Sequence, residues 1–243
     1  MLNRLTSPFK EFGWFAGLLY GIDRCMQRIS PSLRMYFYEL LVQPIPEAPL
    51  LPGKLARAYE YREIVKGDPE IALMPIRPEI KSARFEQNAV CIGAFQKNKL
   101  IGYLWLAFGA YEEDEVRCTF VLPNDGQSVF DFDLYIMPEA RMGLAFAGVW
   151  DGASQYLRGR GVKYTYSRLT RVNIASRRAH QRLGTRCVGR MIVVRAWRLE
   201  LVLSTLTPFM HVSCDENSRA RVKLHNVIAT QPAATGEPAT LSS

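Results

Sequence analysis

Between Val129 and Ile136 apolar side chains fall at every second position, with Phe130, Phe132, Leu134 and Ile136 set against Asp131, Asp133 and Tyr135, and this predicts a strand. Directly after it Phe146, Val149, Trp150, Ala153 and Leu157 recur at helical spacing until Gly159-Arg160-Gly161 stops them. Ala89 to Phe95 and Leu100 to Phe108, joined by Gln96 to Lys99, read as a hairpin. Val116 to Leu122 is expected to pair in a second hairpin with Val129 to Ile136, through Pro123 to Gln127. Leu55 to Ile64 is a first strand, and the proline-broken run from Asp68 to Gln87 gives short helices or irregular chain. Later come a strand over Val162 to Leu169, a helix over Asn173 to Arg182 and a closing hairpin of Val188 to Trp197 with Leu199 to Leu203.

The ends of the chain differ from this centre. Trp14, Phe15, Leu18, Leu19, Ile22, Met26 and Ile29 fall at helical spacing with Lys10, Arg24 and Arg28 nearby, predicting an amphipathic helix that packs on the main domain or lies on a membrane surface. Its apolar run is too short to span a bilayer and lacks a cleavage pattern. Pro31 ends it, and Leu33, Tyr36, Phe37, Leu40 and Leu41 predict a second short helix over Ser32 to Val42. The expected organisation is a helical segment over 1–43, a proline-rich connector over 44–54, a catalytic-size domain over 55–205, an extension over 206–228 and a disordered Ala/Thr/Pro/Ser tail over 229–243. Antiparallel strands followed by strand, helix, strand, helix and hairpin make an α+β fold: a mixed, mostly antiparallel sheet flanked by helices, with an N-terminal helical appendage.

Burial then requires Val116, Cys118, Phe120 and Leu122 to face the phenylalanines of the next strand, which puts Glu115, Arg117, Asp131, Asp133 and Tyr135 on the opposite face. Carboxylates on an interior strand are costly unless paired or functional. Arg117 is the expected structural partner; in the functional reading one of Asp131, Asp133 or Glu115 orders a water or deprotonates an acceptor ammonium.

Composition narrows the classes. The 243 residues are 48% hydrophobic, enough for one sizeable core. Five cysteines without ligand-like spacing argue for a reducing compartment, and three histidines without a metal-binding cluster argue against a catalytic metal. Between Pro138 and Glu200 there are 13 Lys and Arg against three acids, a local +10 in a chain of net +8. Such a surface suits a polyanionic cofactor, an acyl carrier protein or anionic lipid; nucleic acid is disfavoured by the lack of any recognition motif.

The segment from Asp131 to Thr185 resembles the cofactor-binding half of the GNAT-type N-acyltransferase superfamily. In that family the turn after the fourth strand usually reads Arg-Gly-x-Gly-x-Gly or Ala and cradles the pyrophosphate of acyl-coenzyme A. Here it reads Pro138-Glu139-Ala140-Arg141-Met142-Gly143-Leu144-Ala145, one residue and one glycine short. A strand-to-helix junction there presents free backbone N–H groups and a positive helix end, which favour a phosphate. The resemblance, covering about Leu55 to Leu203, implies that Leu134, Ile136, Arg141, Met142, Gly143, Leu144, Ala145, Asn173 and Ser176 contact the cofactor. It also implies that His180 stands where the family's proton-donating tyrosine usually does, followed by Gly184 and by Thr185 in place of phenylalanine. As an imidazolium His180 would protonate the departing thiolate.

The expected activity is direct transfer of an acyl group, acetyl by preference, from acyl-CoA to an amine, with His180, Asp131, Asp133, Glu115 and Tyr135 as catalytic candidates and no metal. The acceptor is expected to be a small-molecule amine, a bacterial envelope or exopolysaccharide precursor, and the location cytoplasmic or peripheral at the inner membrane face. Two alternatives stand beside this: transfer of a longer chain from acyl carrier protein to an amino acid or lipid amine, and a catalytically silent acyl-CoA-binding or scaffold module.

Overall fold

A computed structural model describes residues 14–141, 143–170, 177, 180–181 and 183–226. Helix α1 (Trp14–Ile29) leads into strand β1 (Leu33–Pro44). The short helix α2 (Gly53–Ala56), β2 (Glu60–Ile64), a 3-10 turn (Pro69–Leu73) and α3 (Pro78–Glu86) follow. Then come β3 (Val90–Gln96), β4 (Lys99–Ala107), β5 (Ala110–Glu112), β6 (Cys118–Val121) and β7 (Ser128–Ile136). After a 3-10 turn (Pro138–Ala140) the chain forms α4 (Ala145–Arg158), β8 (Tyr164–Thr170), β9 (Arg186–Ala196), β10 (Leu199–Ser204), β11 (Met210–Ser213) and β12 (Ala220–Lys223). The nine-stranded sheet has the order β11-β10-β9-β1-β8-β7-β4-β3-β2, and a second sheet has the order β12-β6-β5. All pairings in the large sheet are antiparallel except β7 with β8. The expected α+β class, the β3–β4 and β9–β10 hairpins, α1 and α4 are all present.

The second helix expected over Ser32 to Val42 is instead β1, a central strand paired with both β8 and β9. Its sequence satisfies both periods. Tyr36, Tyr38, Leu40 and Val42 fill the core on one face, while Phe37 and Leu41 are buried on the other. A run that is apolar on both faces and carries three aromatic residues suits an interior strand. Residues 33–44 therefore belong to the main sheet and not to a helical leader. The connector that follows is also fastened, since Leu50 and Leu51 donate backbone N–H bonds of 2.6 and 2.9 Å to the buried Asp151 carboxylate on α4. The extension over 206–228 supplies β11 and β12 within its described part, and the expected tail over 229–243 lies outside the described residues. The expected first strand over Leu55 to Ile64 begins only at Glu60, after α2.

The second expected hairpin is also corrected. β6 pairs with β5 and with β12, and β7 pairs with β4 and β8. The alternation of Val116, Cys118, Phe120 and Leu122 is real, since all four are buried, but they meet β7 across layers. Phe120 stacks on Phe130 at 4.8 Å between centroids and 10° between planes. Alternation selects which side chains are buried and leaves the hydrogen-bonding partner undetermined.

On the other face of the large sheet, α4 covers β3 and β4 with Val149, Trp150, Ala153 and Leu157. A Cβ on Gly148 or Gly152 would stand 2.6 or 2.5 Å from the rings of Tyr59 and Tyr61, so these glycines let the helix lie close to that edge. α1 lies over β1.

Candidate active site

β7 and β8 are bonded over only three positions, Ser128 to Phe130 with Tyr164 to Tyr166. Beyond Phe130 they part, β7 following β4 to Ile136 and β8 following β1 to Thr170. A bulge lies on β7 at the same level: Tyr103 and Trp105, two residues apart, face Tyr135 and Phe132, three apart, and Asp133 has φ 50°. A cavity of about 600 Å³ opens there, with Asp131, Asp133, Leu134, Ser167, Arg168 and His180 in its wall.

The bulge separates the carboxylates that simple alternation put on one face. Asp133 accepts a 2.5 Å bond from Arg84, which also bonds Asp114 and lies over the rings of Trp105 and Phe132. Its partner is thus Arg84 and not the expected Arg117, which instead bonds the Arg198 carbonyl and Ser213 and receives the Glu200 carboxylate at its backbone N–H. Glu115 accepts from Tyr38 at 2.9 Å and from Arg168 at 3.1 Å, and Arg168 also grips the buried Glu113. Tyr135 stacks on Tyr103 at 5.5 Å, with the Arg141 guanidinium 5.4 Å from its ring, and is not part of the cavity wall.

Asp131 stands apart from these pairs. It is 4% exposed, its Oδ2 has no hydrogen-bond partner among the described residues, and burial pushes its pKa up to about 7. The neighbouring Thr165 hydroxyl and the residue's own backbone N–H act to lower that value, and Oδ2 remains open. Gln43 pairs with Thr165 across β1 and β8, and its Nε2 is likewise without a partner among the described residues. Three adjacent strands therefore carry a run of buried polar groups with unspent capacity, where buried polar atoms are ordinarily satisfied.

His180 is helical, like Arg177 and Gln181 beside it, and is buried. It meets Phe146 and Trp150 edge-on at 6.4 and 5.9 Å between centroids. Its Nδ1–H points to Gln43 Oε1 at 3.1 Å, and burial pushes its pKa down to about 4. The ring is neutral near pH 7, so the expected imidazolium donor is not supported; the desolvation that seats it among α4 aromatics removes its charge.

At the expected pyrophosphate turn, Leu144 occupies the N-cap of α4 without a side-chain cap bond and no acid stands in the first turn. Gly143 and Leu144 are exposed and Ala145 is buried. Arg141 donates to the Ile136 carbonyl at 3.2 Å. Leu134 lines the cavity, while Ile136 is half-buried against the α4 core. Met142, Asn173 and Ser176 lie outside the described residues. Two contributors escaped sequence reasoning. Arg84 sits in a proline-broken stretch with no period to flag it, and Gln43 is the lone amide ending an apolar run, a signal that a strand assignment for β1 would have exposed. No group of metal-binding side chains occurs among the described residues.

Neither a protein-family model nor a curated protein matches the sequence. Solved structures similar in fold include several GCN5-related N-acetyltransferases. A glucosamine N-acetyltransferase region of a fungal multi-domain β-N-acetylglucosaminidase is 17% identical over 71% of this chain and 23% of its own, with a TM-score of 0.47. A tandem GNAT protein from the clavulanic acid biosynthesis pathway is 15% identical over 67% and 53%, at 0.43. A functionally unknown conserved protein from Staphylococcus epidermidis is 10% identical over 70% and 64%, at 0.47. The chain spans less than two thirds of the length of each of these.

Proposed function

We propose that the protein is an acyl-CoA-dependent N-acyltransferase of GNAT type, with the thioester lying in the gap between β7 and β8 and Asp131 acting as the proton carrier. The observation that carries this reading is the open, unpaired Asp131 carboxyl in the wall of that gap. Beyond Phe130 the β8-facing backbone of β7 has no strand partner among the described residues, so an extended pantetheine arm can bond to it as a strand would. The first turn of α4 and Arg141 supply N–H groups and charge for the pyrophosphate.

In this reading a neutral amine attacks the thioester carbonyl, forming the C–N bond. As the tetrahedral adduct collapses the C–S bond breaks, the nitrogen proton passes to Asp131, and the carboxyl then returns it to the thiolate. An acid of pKa about 7 can deliver a proton to a thiolate whose own pKa is about 8.5. One group therefore serves both transfers, and His180 need not titrate. The same value bears on the acceptor. Removing a proton from an amine of pKa about 8 costs a carboxylate of this strength little, whereas a lysine-like amine near 10.4 costs about 4–5 kcal/mol. We take the acceptor to be a weakly basic amine such as an α-amino group or an amino sugar, consistent with an envelope or exopolysaccharide precursor, and the donor to be acetyl-CoA. Native mass spectrometry and calorimetry with acetyl-CoA and CoA test the cofactor assignment. Acceptor panels graded by amine pKa test the rest. Absence of any CoA binding by the folded protein sinks the proposal.

A further inference from the structure

The large sheet is covered unevenly on the α4 side. α4 lies over β2 to β4 there, and no described helix packs closely on β9, β10 or β11. Leu199, Leu203, Met210 and Val212 project there and are 40–65% exposed. α1 packs on β1, the neighbour of β9, and its own apolar stripe is not spent on the sheet. Leu18, Ile22, Cys25 and Ile29, three or four residues apart, are all exposed, while Asp23 turns inward to accept the Met35 N–H at 2.8 Å. At the tip of the β9–β10 turn Trp197 is 68% exposed and holds φ 53°, a conformation that favours glycine. A bulky ring kept in solvent by a strained turn contributes nothing to the core and calls for a role outside it.

The charges around this surface are mostly of one sign. Arg28, Arg190 and Arg198 are exposed on α1, β9 and the turn, against Asp215 and Glu216 beyond the end of β11. Asp23 and Glu200 are turned in and paired with Arg34 and Arg195. An isologous contact with a second copy would set this arginine rim against itself, which is unfavourable. An apolar centre, an arginine rim and a projecting tryptophan match a bilayer surface with anionic headgroups. No helix among the described residues is long and apolar enough to cross a membrane. We propose that this face, the open side of β9 to β11 with the outer stripe of α1, seats the protein on an anionic lipid surface. The opposite flank of α1, at Tyr20, Arg24 and Gln27, lines a cavity of about 310 Å³ that shares Tyr36, Glu115 and Thr170 with the larger one. The helix thus stands between the lipid surface and the candidate active site.

The experiment is co-sedimentation of the full chain with phosphatidylcholine vesicles, with and without phosphatidylglycerol, over a salt series. Binding is expected to be at least about tenfold stronger with the anionic lipid and to fall as salt rises. Trp197→Gly is expected to weaken it several-fold while leaving thermal stability equal or higher, since the turn favours glycine. Leu203→Glu and Ile22→Glu are expected to abolish it without loss of fold, because both side chains are exposed in the free protein. Three results overturn the proposal: no sedimentation with either vesicle, equal binding to neutral vesicles, or binding indifferent to these variants. A concentration-dependent dimer that Leu203→Glu dissolves, with no vesicle binding, overturns it in favour of a second copy on this face.

Discussion

Asp131 and Asp133 lie two residues apart on one strand and are equivalent in the sequence, yet their surroundings make them different groups. On one side of the β7 bulge Asp133 joins Asp114 in an ionic cluster around the buried Arg84 guanidinium, which lies against Trp105 and Phe132. On the other, Asp131 has no cation among the described residues and an open Oδ2. The first arrangement holds the α3 segment against the sheet. The second leaves a carboxyl whose charge is disfavoured and whose proton is therefore exchangeable near neutral pH. Pairing makes a carboxylate structural, and withheld pairing makes it available for chemistry.

The largest effect expected from breaking this contrast is on the paired side. Arg84→Leu leaves the partly exposed Asp114 and Asp133 without their cation and is expected to cost about 1.5–3 kcal/mol, read from urea unfolding. A loss under about 1 kcal/mol would show that the cluster is not structural. Next comes Asp131→Asn, expected to lower turnover on the order of 100-fold with acetyl-CoA affinity nearly unchanged, as befits an interaction made in the transition state. In the native enzyme kcat/KM is expected to rise with pH through about 7 as Asp131 ionises, and that limb should vanish in the variant. Unchanged turnover removes Asp131 from the mechanism.

Most of the elements were legible in the sequence because their periods are unambiguous: the β3–β4 hairpin, α4 and the β9–β10 hairpin all stand as read. β1 was not, because a run apolar on both faces fits helix and strand alike. The partner of β6 was not, because alternation carries no information about which neighbour bonds it. At the site, the residue types at Asp131 and His180 were visible while their states were not. The bulge at Asp133 that separates the two aspartates has no local sequence mark, and the desolvation of His180 depends on Phe146 and Trp150, 34 and 30 residues away. The central place of β1 also reverses one expectation. Removing residues 1–43 takes out a strand between β8 and β9, so that truncation is expected to prevent folding, a result that circular dichroism reads directly.

A smaller effect is expected at the phosphate turn. Arg141→Glu places a negative charge beside the uncapped first turn of α4 and should weaken CoA binding roughly tenfold at low salt, less as salt rises. Calorimetry at two ionic strengths checks this, and equal affinity at both moves the pyrophosphate elsewhere.

The finest test sets Asp131 against His180 through their opposite linkages. Burial raises the folded pKa of Asp131 from 3.8 to about 7, so between those values the folded protein holds a proton the unfolded chain has lost, and stability falls as pH rises. Burial lowers the folded pKa of His180 from 6.5 to about 4, so there the unfolded chain holds the extra proton, and stability falls as pH drops. Between about pH 4 and 6.5 the two contributions oppose each other with slopes of about 1.4 kcal/mol per pH unit at most, and they largely cancel. Asp131→Asn leaves His180 alone, so this variant's stability should climb with pH across the window relative to the native protein. His180→Gln leaves Asp131 alone and should show the reverse slope, with turnover changed by less than about threefold if the ring only positions Gln43 and the α4 aromatics. Parallel slopes for the two variants in urea titrations at pH 4.5, 5.5 and 6.5 would mean that one of the two groups is not desolvated as described.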